Sequence, residues 1–224
     1  MNIFKTPWSF SVLSTFETCR KKYYHLKIVK DTKDGDSEAA REGKEVHNAM
    51  FQRVIKGKAL PVPLRMHEKI AGRFADAKGE KYGEMKMCLN PEFEPVDWFA
   101  ANAWVRAIVD LLIVNGDTAT IVDWKTGKVK LDWTQLQLAA CILSRLMPEI
   151  NHFKLVFVWL RSSKISLENI ARPELKNVWM ELLPRVKEIE IAKQTTDFPA
   201  TESGLCGWCP VTQCPHWFDK GKND

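Results

Sequence analysis

Two carboxylates and a lysine near the middle of the chain, and four cysteines divided between its ends, are the side chains whose types and spacing can do chemistry. Asp123 and Lys125 lie in Ile121-Val-Asp-Trp-Lys-Thr-Gly-Lys128. Two residues apart on a strand, they emerge on one face, while Trp124 points the other way and can pack inward. Asp110 stands thirteen residues before Asp123, across an Asn115-Gly116 turn signal, so a hairpin can bring both carboxylates to one divalent cation. Hard oxygen ligands suit magnesium or manganese, and such an ion polarises a phosphodiester and helps to generate hydroxide. Lys125 can then orient the attacking water or neutralise charge developing on phosphate. An Asp-x-Lys pair also occurs simply as the solvated face of a half-buried sheet. Asp110 resists that reading, because it interrupts the apolar run Ile108-Val-Asp-Leu-Leu-Ile-Val114, where a lone carboxylate is costly without a cation or hydrogen bonds.

Cys19 stands in Phe-Glu-Thr-Cys-Arg-Lys-Lys, and Cys206-Gly-Trp-Cys209-Pro-Val-Thr-Gln-Cys214 forms a C-x2-C-x4-C run near the C-terminus. Thiolates are soft ligands, and by residue chemistry alone the four suit either an iron–sulfur cluster or a structural zinc. A shared metal would clasp the two ends of the chain together. The remaining cysteines, Cys88 and Cys141, read as small buried hydrophobes. Trp208 and Trp217 can shield such a metal or stack on bases. The N-terminus, Met1 to Trp8, lacks the continuous apolar segment of a secretory leader, and C-x2-C spacing then points to metal or redox chemistry in a reducing compartment rather than to disulfides. The longest apolar run carries Asp110 in its middle, so no membrane span is expected and the protein reads as cytoplasmic.

The elements that must position these residues follow from pattern. Ser9 or Ser11 caps a short helix through Val12, Leu13 and Phe16 that delivers Cys19 at its end. Asp31 to Glu38 is a polar loop. A helix spans about Ser37 to Ile55, broken by Lys56-Gly-Lys-Ala-Leu-Pro-Val-Pro63, and a second spans Arg65 to Lys78. Strands follow at Glu84 to Leu89, within Asn102 to Val114 and at Ala119 to Lys125. A helix from Trp133 to Met147, with Asp132 as its cap, precedes a strand at Phe153 to Leu160. A last helix runs from Pro173 to about Lys193 and is bent at Pro184. The order is that of an α/β core with a mixed sheet. A chain of 224 residues, 45% of them hydrophobic, suits one domain. Its parts are an N-terminal helical region (1–80), a catalytic core (81–165) and a C-terminal helix with the cysteine segment (166–224). The net charge of +5, from 33 basic and 28 acidic residues, is too mild to establish nucleic-acid binding by itself.

In order, Gly43-Lys-Glu-Val-His47, Ile108-Val-Asp110, Asp123-Trp-Lys-Thr-Gly127 and Gln137-Leu-Ala-Ala-Cys141 resemble the motifs of the RecB-like branch of the PD-(D/E)XK nucleases. The split cysteine set makes the chain similar to the iron–sulfur members, among them the CRISPR-associated RecB-like exonucleases and the AddB nuclease domain. The resemblance covers about Ser9 to Cys214. It implies a restriction-endonuclease-like fold. It also implies a magnesium or manganese site from Asp110, Asp123, His47 and the Trp124 main-chain carbonyl, a catalytic Lys125, and a Gln137 that supports the lysine or contacts DNA. Glu84 corresponds to an acidic residue that some members place on the preceding strand. For Cys19, Cys206, Cys209 and Cys214 it favours a [4Fe–4S] cluster over zinc. The chain departs from the pattern in Cys141, where an aromatic residue is usual, and in Ala107, where glycine is usual.

The implied activity is that of a metal-dependent deoxyribonuclease, an exonuclease acting on single-stranded DNA or on DNA ends in a phage-recombination or CRISPR setting. Arg20, Lys21, Lys22, Arg41, Lys44, Lys128 and Lys130 flank the motifs and can guide phosphates. The chain has no helicase motifs, so a helicase, recombinase or CRISPR-adaptation partner would supply unwinding. Two other classes stay open: a non-catalytic DNA-end-binding or CRISPR-adaptation partner, and a zinc-stabilised interaction module with an accidental Asp-x-Lys.

Overall fold

The computed structural model describes residues 7–35 and 37–219. Residues 1–6, read above for a leader, and Asp36 of the polar loop lie outside them. The chain forms two compact units, one of residues 37–180 and one combining residues 1–36 with 181–224.

The larger unit is built on a five-stranded sheet in the order β1-β2-β3-β4-β5. The strands are β1 (Glu80–Leu89), β2 (Val105–Asn115), β3 (Thr118–Lys125), β4 (His152–Trp159) and β5 (Lys164–Ala171). The first three form an antiparallel meander, and Gly116, at φ +60°, makes the tight turn that pairs Asn115 with Thr118. A parallel partner for β3 requires a crossover. Helix α5 (Thr134–Leu146) provides it, returning the chain to β4, which runs parallel to β3. The sheet is therefore mixed, as the pattern predicts. The fifth strand was not expected from the sequence. Ile165 and Leu167 alternate with polar residues there, but on an edge strand both are exposed, so no buried face marks the period.

Helices α3 (Glu38–Lys56) and α4 (Glu68–Ala75) belong to the same unit. Ser37 caps α3, its side chain accepting from the Ala40 N–H, and Gly57 in the left-handed region ends it. The expected helix from Arg65 to Lys78 is instead a 3-10 segment, Val62–His67, followed by the two turns of α4. Pro61 and Pro63 bias the backbone at its start, and only the later residues bury an apolar face. Val46, Met50 and Val54 of α3 pack with Leu111, Val122, Trp124, Val156 and Val158 of the sheet. Trp124 is almost wholly buried and meets Phe74 of α4 edge-on, with ring centroids 5.1 Å apart.

Two devices fix the helices on this sheet. A Cβ at Gly83 of β1 would stand 2.4 Å from Phe51 and 2.8 Å from Ile55, so glycine alone lets α3 approach this closely. At the C-terminus of α5, where helix carbonyls lack partners, Arg172 donates to the carbonyls of Ser144, Met147 and Ile150.

The smaller unit contains α1 (Phe10–Thr18), capped by Ser9 and ended by Cys19, and α2 (Arg20–Tyr23), followed by a π-helical segment, Tyr24–Val29. Within it Arg185 makes a bidentate pair with Glu17, Arg20 pairs with Glu188, and the Lys21 N–H donates to the Pro199 carbonyl. Tyr23 and Tyr24 both pack on Phe198. The helix α6 (Leu175–Thr195) contains Pro184 and contributes residues to each unit. Among the described residues no helix is long and apolar enough to cross a membrane.

Replacement of Gly83 by alanine is expected to lower stability by about 1–3 kcal/mol, the usual cost of overpacking. Thermal unfolding measures it, and an unchanged midpoint would show that α3 does not depend on this contact.

Candidate active site

The antiparallel ladder between β2 and β3 stops at Leu111–Val122. Beyond that point the Asp110 side chain replaces the main chain as acceptor: the Trp124 N–H donates to its Oδ2 at 2.8 Å. Its Oδ1 lies 3.1 Å from His47 Nδ1 on α3. A carboxylate that accepts here places a proton on Nδ1, and in the neutral imidazole Nε2 then keeps the lone pair. The interruption continues into β1. Glu84, exposed and at φ +51°, lies between the pairs Gly83–Leu111 and Met85–Val109, opposite Asp110.

Asp123 is 6% exposed. Gln135, at the start of α5, donates to its Oδ1 at 2.7 Å. Its Oδ2 is 2.9 Å from Lys125 Nζ, yet it has no properly directed hydrogen bond among the described residues. Lys125 donates instead to Gln135 Oε1 at 2.9 Å and stands 5.2 Å from the centre of the Phe157 ring, a cation–π distance. The Gln135 amide thus bridges the carboxylate and the ammonium, its orientation set by a partner that can only accept and one that can only donate. Trp133 stacks on Phe157, and Trp159 leans on Phe157 from its other neighbour position on β4. Asp132, expected as the cap of α5, lies one residue too early: Trp133 is the N-cap and makes no side-chain cap bond, while Asp132 Oδ1 accepts from the Thr134 N–H.

The electrostatics follow from this packing. Burial, and then the charge of Asp110, push the Asp123 carboxyl above its ordinary range, against the opposing pull of Lys125. Hydrogen bonding to Asp110 raises His47, with the Asp123 charge and the Trp124 main chain acting in the same direction.

His47, Asp110, Asp123 and Lys125 are therefore joined in one site, with Trp124 between them contributing its backbone. Gln137 is placed elsewhere, its Nε2 donating to Glu168 Oε1 on β5 at 2.8 Å. The glutamine that touches Asp123 and Lys125 is Gln135, which motif spacing passes over. Two residues apart on a helix, the two side chains diverge by roughly 200°, so only one can face the carboxylates, and the spacing to residue 141 selects the other. Cys141 is fully buried, its thiol pushed up to about 12 by burial, with its Sγ directed at the Leu175 carbonyl. Of the flanking basic residues, Arg20 and Lys22 are paired with Glu188 and Asp34, whereas Arg41, Lys128 and Lys130 are exposed.

In the smaller unit, Cys19, Cys206, Cys209 and Cys214 all line one cavity of ≈ 190 Å³, together with Trp208 and Trp217. All six cysteines are free thiols. The Thr201 N–H points at Cys19 Sγ at 3.4 Å and the Ser203 N–H at Cys206 Sγ at 3.3 Å. Among the described residues no group of three or more His, Cys, Asp or Glu side chains is arranged to hold a metal ion, here or around Asp123. The donor sets nevertheless suit metals. Four thiols and two sulfur-directed amides face one space in the first case. A buried carboxylate oxygen without a hydrogen bond lies beside a second carboxylate in the other.

Replacing Gln135 by leucine leaves Asp123 Oδ1 buried and unsatisfied, and is expected to cost about 1–3 kcal/mol. Gln137→Leu should cost less, since its partner Glu168 can turn to water. Chemical denaturation of the two variants checks the order, and equal losses would show that the Gln135 bridge does not hold Asp123.

Comparison with known proteins agrees with this architecture. Residues 7–215 match the family model described as the PD-(D/E)XK nuclease superfamily. No match is found among the curated proteins. Among solved structures, a protein from Eubacterium rectale named as a candidate exonuclease is similar at 14% identity and a TM-score of 0.53, over 94% of this chain and 86% of that one. The structure of SSO0001 aligns at 14% identity with a TM-score of 0.47, over 92% and 86% of the two chains. With the family model spanning the site and both flanking segments, the chain belongs to the PD-(D/E)XK nuclease superfamily.

Proposed function

We propose that the protein is a magnesium- or manganese-dependent deoxyribonuclease, an exonuclease that hydrolyses phosphodiesters of single-stranded DNA or DNA ends. The observation that carries this reading is the buried Asp123 carboxylate, pushed up by burial and by the Asp110 charge beside it and only partly offset by the Lys125 ammonium 2.9 Å from its Oδ2. A divalent cation would relieve the remaining cost of two close carboxylates. Asp110, Asp123, His47 and the Trp124 carbonyl are the ligands we assign. A bound magnesium or manganese would polarise the phosphodiester and acidify a water.

The chain's own residues do the rest. Gln135 and the Phe157 ring hold the Lys125 ammonium next to Asp123, where it can orient a water or offset negative charge growing on phosphate. Asp110 and His47 fix one another, so that the carboxylate does not swing away from the Trp124 backbone. Gln137, the motif glutamine, is assigned a substrate contact. Arg41, Lys128 and Lys130 supply exposed positive charge for the DNA backbone. The name of the Eubacterium rectale protein favours exonuclease action. The cysteine cavity is assigned a [4Fe–4S] cluster, with zinc as the alternative, serving to hold residues 19–22 and 201–217 together. A helicase, recombinase or CRISPR-adaptation protein in the cytoplasm is the proposed partner.

Manganese-dependent cleavage of end-labelled single strands by anaerobically purified protein, abolished in Asp123→Ala and lowered by about 10²-fold or more in Lys125→Ala, is the expected result. A folded wild type that cuts neither single nor double strands with either metal would turn the assignment to a non-catalytic DNA-end-binding protein.

The proposed ligands also imply a direction for the pH dependence. Asp123 and His47 both hold protons above their ordinary ranges, so a cation must displace those protons, and its binding strengthens as pH rises. Calorimetric titration with manganese should show proton release and an affinity that falls as the medium is acidified. A pH-independent affinity would place the cation elsewhere. For the cysteines, iron and acid-labile sulfide in the isolated protein, lost in Cys209→Ser, are expected, and zinc in their place would decide for the alternative.

A further inference from the structure

We propose that one face of the β1–β2 hairpin is a track for the single-stranded DNA substrate, with Trp98 as the platform on which a base stacks. This rests on the nuclease reading and adds where the strand runs. The residues are on the long connection between β1 and β2 and on the hairpin itself, all in the unit that carries Asp110 and Asp123.

Along β2 the burial alternates: Val105, Val109 and Leu111 are buried, while Arg106, Ile108 and Asp110 are half-buried or exposed. Strand alternation places Arg106 and Ile108 on one side, and Asp110 follows at the interruption of the ladder. Lys86 of β1 pairs with Ile108 and so shares that side. Trp98 lies against both cations of this face, 5.7 Å from Lys86 Nζ and 5.0 Å from the Arg106 guanidinium carbon. A strand rise of about 3.3 Å per residue puts Arg106 roughly 13 Å from Asp110, a spacing of about two extended nucleotides.

Two features distinguish this patch from an ordinary capped tryptophan. Arg106 Nε is buried and has no hydrogen-bond partner among the described residues. Phe99, the next residue, is 85% exposed, and Ile108 on the track is 47% exposed. Positive charge interleaved with exposed aromatic and apolar surface is the chemistry that takes a strand whose phosphates and unpaired bases are both accessible. A duplex offers its phosphates but not its base faces. The track also complements the site it approaches, where Asp110, Asp123 and Glu84 repel phosphate and a chain of cations must lead the backbone in.

The test compares wild type with Trp98→Ala, Trp98→Phe and Lys86→Gln. Binding of a labelled oligothymidylate of about twelve nucleotides is followed by anisotropy with the metal chelated, so that nothing is cut. Trp98→Ala should weaken binding about five- to a hundredfold, Trp98→Phe should retain most of it, and a duplex should bind all variants alike. Lys86→Gln should flatten the dependence of log affinity on log salt by about 0.7. Cleavage of thymidine 5′-(4-nitrophenyl phosphate), too small to reach Trp98, should be unchanged in Trp98→Ala. Unaltered oligonucleotide affinity in Trp98→Ala, or, should that variant not fold, an unaltered salt dependence in Lys86→Gln, overturns the track while cleavage of the ester leaves the nuclease reading intact. Trp98-dependent binding by a wild type that cleaves nothing supports the track and overturns the nuclease.

Discussion

A carboxylate buried next to another carboxylate is the constraint that organises this protein. Asp123 is nearly inaccessible and feels the charge of Asp110, which is why its proton is held above the ordinary range. Such a group is tolerated only if its oxygens are met. One oxygen is met by Gln135. The other faces the Lys125 ammonium at 2.9 Å, which only partly offsets burial and the Asp110 charge. Asp110 is satisfied differently, by substituting for a sheet carbonyl toward the Trp124 N–H and by pairing with His47. The interruption of the β2–β3 ladder and the left-handed backbone of Glu84 on the adjoining strand fall together at this point. Sheet regularity yields where the carboxylates are placed.

The packing around the site serves the same end. Helix α5 must return the chain so that β4 can run parallel to β3, and its first turn brings Gln135 over Asp123 and Lys125. Arg172 closes the far end of that helix on three carbonyls. On α3, His47 reaches Asp110 only because the helix lies close upon β1, and Gly83 is what permits the approach. Trp124, between Asp123 and Lys125, anchors their strand by burying its indole among Val46, Met50, Val122 and Phe74. The site thus stands on a scaffold whose contacts are mainly apolar.

The cysteine-bearing unit follows a different logic. Its apolar interior is small, and the segments that build it are distant in sequence. Tyr23, Tyr24 and Phe198 pack together, and the Glu17–Arg185 and Arg20–Glu188 pairs join the N-terminal helices to the last one. Exposed ion pairs of this kind contribute little. A metal held by the four thiols around one cavity would contribute far more, because it closes a loop of nearly the whole chain.

The linear pattern by itself determined the elements with a strong period and clear punctuation. These are the helix after Ser9 or Ser11, the helix from about Ser37, the Asn-Gly hairpin, Asp123 and Lys125 on one face with Trp124 on the other, and the mixed sheet. It also grouped Cys19 with the distal trio by residue type, and the four line one cavity. Three things were decided only by tertiary structure. The edge strand β5 lacks a buried face to announce it. Gln135 rather than Gln137 meets Asp123 and Lys125, because the rotation of α5 about its axis is set by what it packs against and not by its own sequence. The Lys86–Trp98–Arg106 patch gathers residues from two strands and the long connection between them. Strand period and cap chemistry are local, whereas helix rotation and cross-strand neighbours are settled by long-range packing, and that is where the two kinds of knowledge divide.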